Sequence, residues 1–348
     1  MKKLTSIRSR ISLVLLAGLG VTALLFAGAE VKPPKFFRDD PLWQEVTSQD
    51  ASGANFYEPE LVYDLAENMF AKPGDKDFNR RAQNVNSVDE VADGNWFTNR
   101  AGLRTLTPED VARGSNASGG PEPGKWTVIA AKTDGVTPGF TIKTSSGRVW
   151  FIAFDPPGWR GMATGTEVVV AKLFWALGYH ITEYYIEQLR RDDLVIDKGA
   201  TFTPPSGRKR PMRHSDIDSL LKQAQRDPDG TYRVIASLAT PGKMIGRIRF
   251  YGTRPDDPND LVPHENHREL RGYGVFSAWF NHVDAKSINT IDTLMTENGR
   301  SFIRHWLLDF GSTMGSAALG PRDYWEGYEH LLEPGGQIGK GIAAFGFY

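Results

Sequence analysis

Asp309-Phe310-Gly311 follows Asn289 by twenty residues, and Asn289 closes the run His282-Val283-Asp284-Ala285-Lys286-Ser287-Ile288-Asn289. One Asp, one Asn and a second Asp ahead of a glycine form a set that can transfer a phosphoryl group. That chemistry needs an Asp to orient the attacking hydroxyl, and an Asn with a second Asp to hold Mg²⁺ against the phosphates. Asp284 is therefore read as the catalytic, hydroxyl-orienting group and Lys286 as a contact to the transferred phosphoryl. Asn289 and Asp309 are read as the metal ligands. Asp309 ends the apolar run Trp306-Leu307-Leu308, where an unpaired carboxylate is costly. Asp292, inside the same stretch, reads as a structural partner instead.

The intervening residues explain how these groups meet. Thr290–Met295 and Ser301–Leu308 are β-favouring runs around Glu297-Asn298-Gly299, and Asn-Gly between such runs is a strong hairpin signal. A hairpin about Asn298-Gly299 sets Asn289 beside Leu308 and Asp309. Upstream, Leu270–Phe280 has the pattern of an apolar helix that leads into the His282–Asn289 loop. Further back, Trp126–Lys132, Phe140–Thr144 and Val149–Phe154 read as three strands, separated by the turn sequences Asp134–Gly139 and Ser145–Gly147. A buried helix over Thr164–Leu177, stopped by Gly178, and a strand over Ile181–Leu189 come next. Arg190–Gly230 reads as a polar excursion with a helix at Ser215–Gln225, before strands at Tyr232–Leu238 and Met244–Tyr251.

The chain has 348 residues, of which 40% are hydrophobic and 24% charged, the make-up of a globular protein rather than a disordered one. Lys2, Lys3, Arg8 and Arg10 precede an apolar run from Ile11 to Ala27 that ends in Ala27-Gly28-Ala29. Residues 1–29 are read as an export signal cleaved after Ala29, with an uncleaved membrane anchor as the alternative. The expected location is the periplasm or the exterior, with membrane contact only through this segment. Its removal takes away four positive charges and no negative ones, moving the formal net charge from −1 to −5. That balance argues against a nucleic-acid partner bound through phosphates. The chain has no cysteine, which excludes disulfides, thiolate metal sites and cysteine nucleophiles. Residues 30–124 are rich in Asp, Asn, Gly and Pro with scattered aromatics, and read as an irregular extension that wraps a larger body. Within it, Glu58–Phe70 shows a helical apolar face.

His282-x-Asp284-x-Lys286-x-x-Asn289 resembles the catalytic loop of protein kinases, and Asp309-Phe310-Gly311 is similar to their metal-binding triplet. The wider run takes in Arg254–Asp260, His264–Arg271, Asn281–Asp284 and Leu308–Gly315. It looks like a group of uncharacterised exported bacterial proteins with an atypical kinase fold, one shared with lipid kinases, HipA-like kinases and secretory-pathway kinases. The resemblance covers about Trp96 to Tyr348. It implies an α+β, two-lobed protein-kinase-like fold behind a mainly irregular N-terminal extension. The upper lobe would span residues 125–238, with the polar insertion, and the lower lobe 239–348. Because 37 residues follow Gly311, the lower lobe is expected to be minimal or truncated. The implied cofactors are ATP and Mg²⁺ or Mn²⁺, with a nucleotide as partner and an unknown acceptor.

The same resemblance assigns Gly135 and Gly139 to a glycine turn over the phosphates and Glu167 to the organising helix. The place of the third-strand lysine holds Ala153, so Lys132 and Lys143 on the two preceding strands are its candidate substitutes. Val283 stands where an Arg is usual, and the turn departs from G-x-G-x-x-G. These departures keep two further readings open, a pseudokinase-type binding module without catalysis and a nucleotidyl transferase on the same fold. Other motifs fail: His264-Glu265-Asn266-His267 is one residue short of H-E-x-x-H, and Gly335–Lys340 lacks the spacing of a P-loop.

Overall fold

The computed structural model describes residues 35–36, 40, 49–59, 80–132, 137–204 and 207–323. The leader, most of the Glu58–Phe70 helix, the glycine-turn residues Asp134 and Gly135, and the chain end beyond residue 323 lie outside the described residues.

The fold is α+β. Among the described residues ten strands form two sheets, one of seven strands and one of three. In the larger sheet β1 (Trp126–Ala131), β2 (Gly139–Lys143) and β3 (Val149–Phe154) make an antiparallel meander. β7 (Tyr232–Leu238) adds antiparallel to β3, and β4 (Tyr184–Leu189) pairs antiparallel with β7 at the edge. On the opposite side β5 (Leu194–Phe202) runs parallel to β1 and carries the short β6 (Arg210–Pro211).

Alternation along the strands sorts side chains to the two faces. Trp150, Ile152 and Phe154 of β3 are buried with Val128, Ala131, Phe140 and Ile142. Ile217 and Leu221 of helix α3 (His214–Leu221) close that face. Ala153, pointing the other way, packs in a second cluster with Val168 and Phe174 of helix α2 (Ala163–Leu177). Helix α1 (Pro108–Arg113) precedes the sheet and carries a Thr107 capping box with Asp110. Each layer thus buries an apolar stripe set by its own period.

α2 starts without a side-chain cap of its own at Met162. Asp155, at the end of β3, supplies it by accepting from Thr164 N at 2.9 Å and Gly161 N at 2.7 Å. At the other end Gly178 turns left-handed at φ 116°, against the ring of Phe97. Arg100 donates to the carbonyls of Trp175 at 2.7 Å and Tyr179 at 3.1 Å. The helix is fixed at both ends, one of them by the N-terminal extension.

The smaller sheet contains β8 (Lys243–Gly246), β9 (Thr290–Glu297) and β10 (Arg300–Leu307). Arg300 pairs with Glu297, so Asn298-Gly299 is the two-residue turn, with φ 52° and 75°. Positive φ at both positions is what a type I′ turn requires. Helix α4 (Arg268–Trp279) packs Tyr273 and Phe276 into the cluster that joins α2 to the end of β10. The extension lines the outside: Tyr57 bridges Gly246, Ala51 N donates to Ser301 O at 2.8 Å, and Trp96 stacks on His305.

Two elements differ from the sequence reading. Met244–Tyr251 is strand only to Gly246, where Tyr57 crowds the backbone and the chain turns at φ 128°. The polar excursion contains β5, in which Asp197-Lys198-Gly199 separates the apolar Leu194-Val195-Ile196 from Ala200 and Phe202. Its pairing partner, not its own pattern, makes it a strand.

Candidate active site

The hairpin delivers the convergence its sequence requires. Leu308 N donates to Asn289 O at 3.0 Å, closing the open end of β9–β10 just before Asp309. Asn289 Nδ2 donates to Asp284 Oδ2 at 2.9 Å and to the Asp284 carbonyl at 2.8 Å. Lys286 Nζ lies 2.5 Å from Asp284 Oδ1. Both oxygens of Asp284 are thereby fixed, and the Asn289 amide is oriented with Oδ1 as its remaining polar atom. Burial raises the Asp284 pKa, but Lys286 and Asn289 outweigh it and hold the group below the usual carboxylate range.

Asp309 takes φ +58°, a left-handed conformation that few residues other than glycine adopt. Two anchors hold the segment there. Phe310 is fully buried and stacks on Phe174 at 5.3 Å, with the His282 ring tilted against it at 5.5 Å. Gly311 O accepts from Thr166 Oγ1 at 3.2 Å. His282 is itself fully buried, and burial lowers its pKa to about 4, so it packs as a neutral ring.

The same anchors bring Glu167 in from α2. A methyl group on Gly311 would lie 3.4 Å from Glu167 Oε2 and 3.8 Å from Asp309 Oδ1, so the two carboxylates face a common point. Part of Glu167 remains accessible, yet dense surroundings and then the charge of Asp309 push its pKa up to about 8, against the pull of Lys132. Asp309 is likewise raised, by burial and then by Asp284, with Lys132 and Lys286 opposing. Two carboxylates with too little positive charge between them are what a divalent cation would relieve.

The donor set, a carboxylate and an amide oxygen, is one that suits a hard cation whose shell is completed by phosphate oxygens and water. Among the described residues no group of three or more His, Asp or Glu is placed to hold a metal ion by protein ligands alone. Mg²⁺ bound chiefly through substrate phosphates needs only one or two carboxylates.

Asp284, Lys286, Asn289, Asp309 and Glu167 therefore share one site, and Lys132 is close enough for both carboxylates to feel its charge. Lys143 is elsewhere: it pairs with Val149 at the far end of β2, its stem against the Gly147 turn. Gly139 opens β2 beside Lys132, while Gly135 is outside the described residues. Sequence reasoning missed Phe174 and Tyr184. Tyr184, buried on β4, has its hydroxyl pKa raised by burial and then by Glu167 and Asp309, so it stays protonated against them. A helix register or a strand alternation does not tell which distant segment it will face. Asp292 is structural, bound by Arg254 at 2.9 Å and His305 at 2.6 Å.

No protein-family model, no curated protein and no solved structure matches this chain.

Proposed function

We propose that this chain is an atypical, two-lobed kinase-like phosphotransferase of an exported protein, moving a phosphoryl group from ATP to an acceptor hydroxyl. The observation that carries the reading is the meeting of three segments: the loop with Asp284 and Asn289, Asp309 in its left-handed turn, and Glu167 from α2. The meander β1–β2–β3, the helix after it, and β7 and β4 added beyond β3 agree with an upper lobe set above a helix–loop–hairpin.

Mg²⁺ or Mn²⁺ held by Asn289 and Asp309 would supply neutralisation of phosphate charge. Asp284, ionised and fixed by two donors, orients the acceptor hydroxyl in line and takes its proton as the new P–O bond forms and the bond to the leaving diphosphate breaks. Lys286 is 62% exposed beside Asp284, where its ammonium can meet the transferred group. Glu167 and Tyr184 hold the back of the site.

Replacing Asp284 by Asn keeps its shape and removes the proton acceptor. Asp284→Asn should retain ATP binding and lose at least about a hundredfold in phosphoryl transfer or ATP turnover, within the range general base removal costs. Equal turnover in wild type and variant would remove Asp284 from the mechanism. Ala153 favours a second reading, a nucleotide-binding module without transfer, which predicts binding with no turnover in either protein.

A further inference from the structure

We propose that Lys132, at the end of β1, is the cation that binds the nucleotide phosphates, reaching them over a lane kept clear by Gly139 and Ala153. The inference rests on the phosphotransferase reading and names the cation missing from it.

The lane is set by register. Ala131 pairs with Phe140, Lys132 N donates to Gly139 O at 2.9 Å, and Gly139 pairs with Ala153. Lys132, Gly139 and Ala153 thus form one row across three strands. Ala131, Phe140 and Ile152, one residue out of step, fill the core on the α3 face. The row must therefore face α2, and Ala153 does pack there with Val168.

In that row, all side-chain bulk belongs to Lys132. A Cβ on Gly139 would sit 3.3 Å from both Cβ and Cδ of Lys132, so the lysine stem lies over the glycine. It would also sit 2.6 Å from Ile152 O, which leaves no room for a larger residue. Ala153 leaves the next position equally low. The stem runs across the sheet over Gly139, on the face where Ala153 packs against Val168, the neighbour of Glu167 in α2. Its ammonium now donates to Thr137 Oγ1 at 3.3 Å, a weak contact that a phosphate oxygen can replace. The other nearby ammonium, Lys286, is bound to Asp284.

The test compares dissociation constants for ATP·Mg²⁺ and for adenosine by calorimetry on the full chain. Lys132→Met should weaken ATP by about tenfold or more, the worth of a charge-assisted contact, and leave adenosine unchanged. Lys132→Met combined with Ala153→Lys, which moves the ammonium along the row, should recover most of the loss. Unaltered ATP binding in Lys132→Met, with wild type binding normally, would overturn this assignment alone. A wild type that melts cooperatively but binds no ATP would overturn the phosphotransferase reading and this inference with it. Equal losses for ATP and adenosine would make Lys132 structural and also overturn the assignment.

Discussion

Glu167 and Asp309 approach each other at Gly311, and burial together with the charge of Asp309 sets the titration of Glu167. A carboxyl whose folded pKa is raised from 4.5 to about 8 binds its proton more tightly in the folded chain than in the unfolded one. Its contribution to stability is full below pH 4.5 and is lost progressively as pH rises toward about 8. Glu167→Gln, neutral at every pH, should therefore flatten the fall in Tm over that interval relative to wild type, as followed by circular dichroism melts across pH. Parallel curves for the two proteins would mean that Glu167 ionises normally. Asp309, raised by burial and by the charge of Asp284 and held at φ +58°, carries backbone strain of the order of 1–3 kcal/mol in a place where its neighbours over-determine it. Strain of that kind gathers where groups must be held ready for a ligand.

The two halves of the site are joined by one element pair, helix α2 and the segment after β10. Phe310 on Phe174, with Thr166 on Gly311, is the joint. Phe310→Ala should cost about 3–5 kcal/mol in denaturant unfolding, as removal of a fully buried ring does, and Phe310→Leu should cost much less. A loss under about 1 kcal/mol for the alanine variant would show that the joint lies elsewhere. At this scale the sequence was unevenly legible. The β9–β10 hairpin could be read because Asn298-Gly299 dictates its turn and alternation dictates its register, so Asn289 and Leu308 had to meet. α2 could be bounded because Gly178 ends it. What α2 faces could not be read, since the approach of Glu167 to Asp309 depends on packing between segments far apart in the chain. β5 is not legible because Asp197-Lys198-Gly199 interrupts its apolar pattern, and its strand character comes from pairing with β1 and β6. Lys132 could be named as a substitute, but its advantage over Lys143 appears only when Gly139 and Ala153 line up beside it.

As a whole, the molecule sets a seven-stranded mixed sheet and its helix α2 against a hairpin sheet and helix α4, with the N-terminal extension fastened to both. Residues 49–58 edge the small sheet, and Phe97 and Arg100 hold the end of α2 that lies away from Glu167. No helix among the described residues is long and apolar enough to cross a membrane. Export of the chain remains a proposal carried by residues 1–29. On the phosphotransferase reading proposed above, these parts assemble one nucleotide–metal site. Calorimetric titration of the full chain with ATP, with and without Mg²⁺ or Mn²⁺, beside Asp309→Asn, tests it most directly. The account predicts saturable binding that requires the metal and is lost in the variant. Absence of binding by a cooperatively folded wild type, or equal binding by Asp309→Asn, would contradict it.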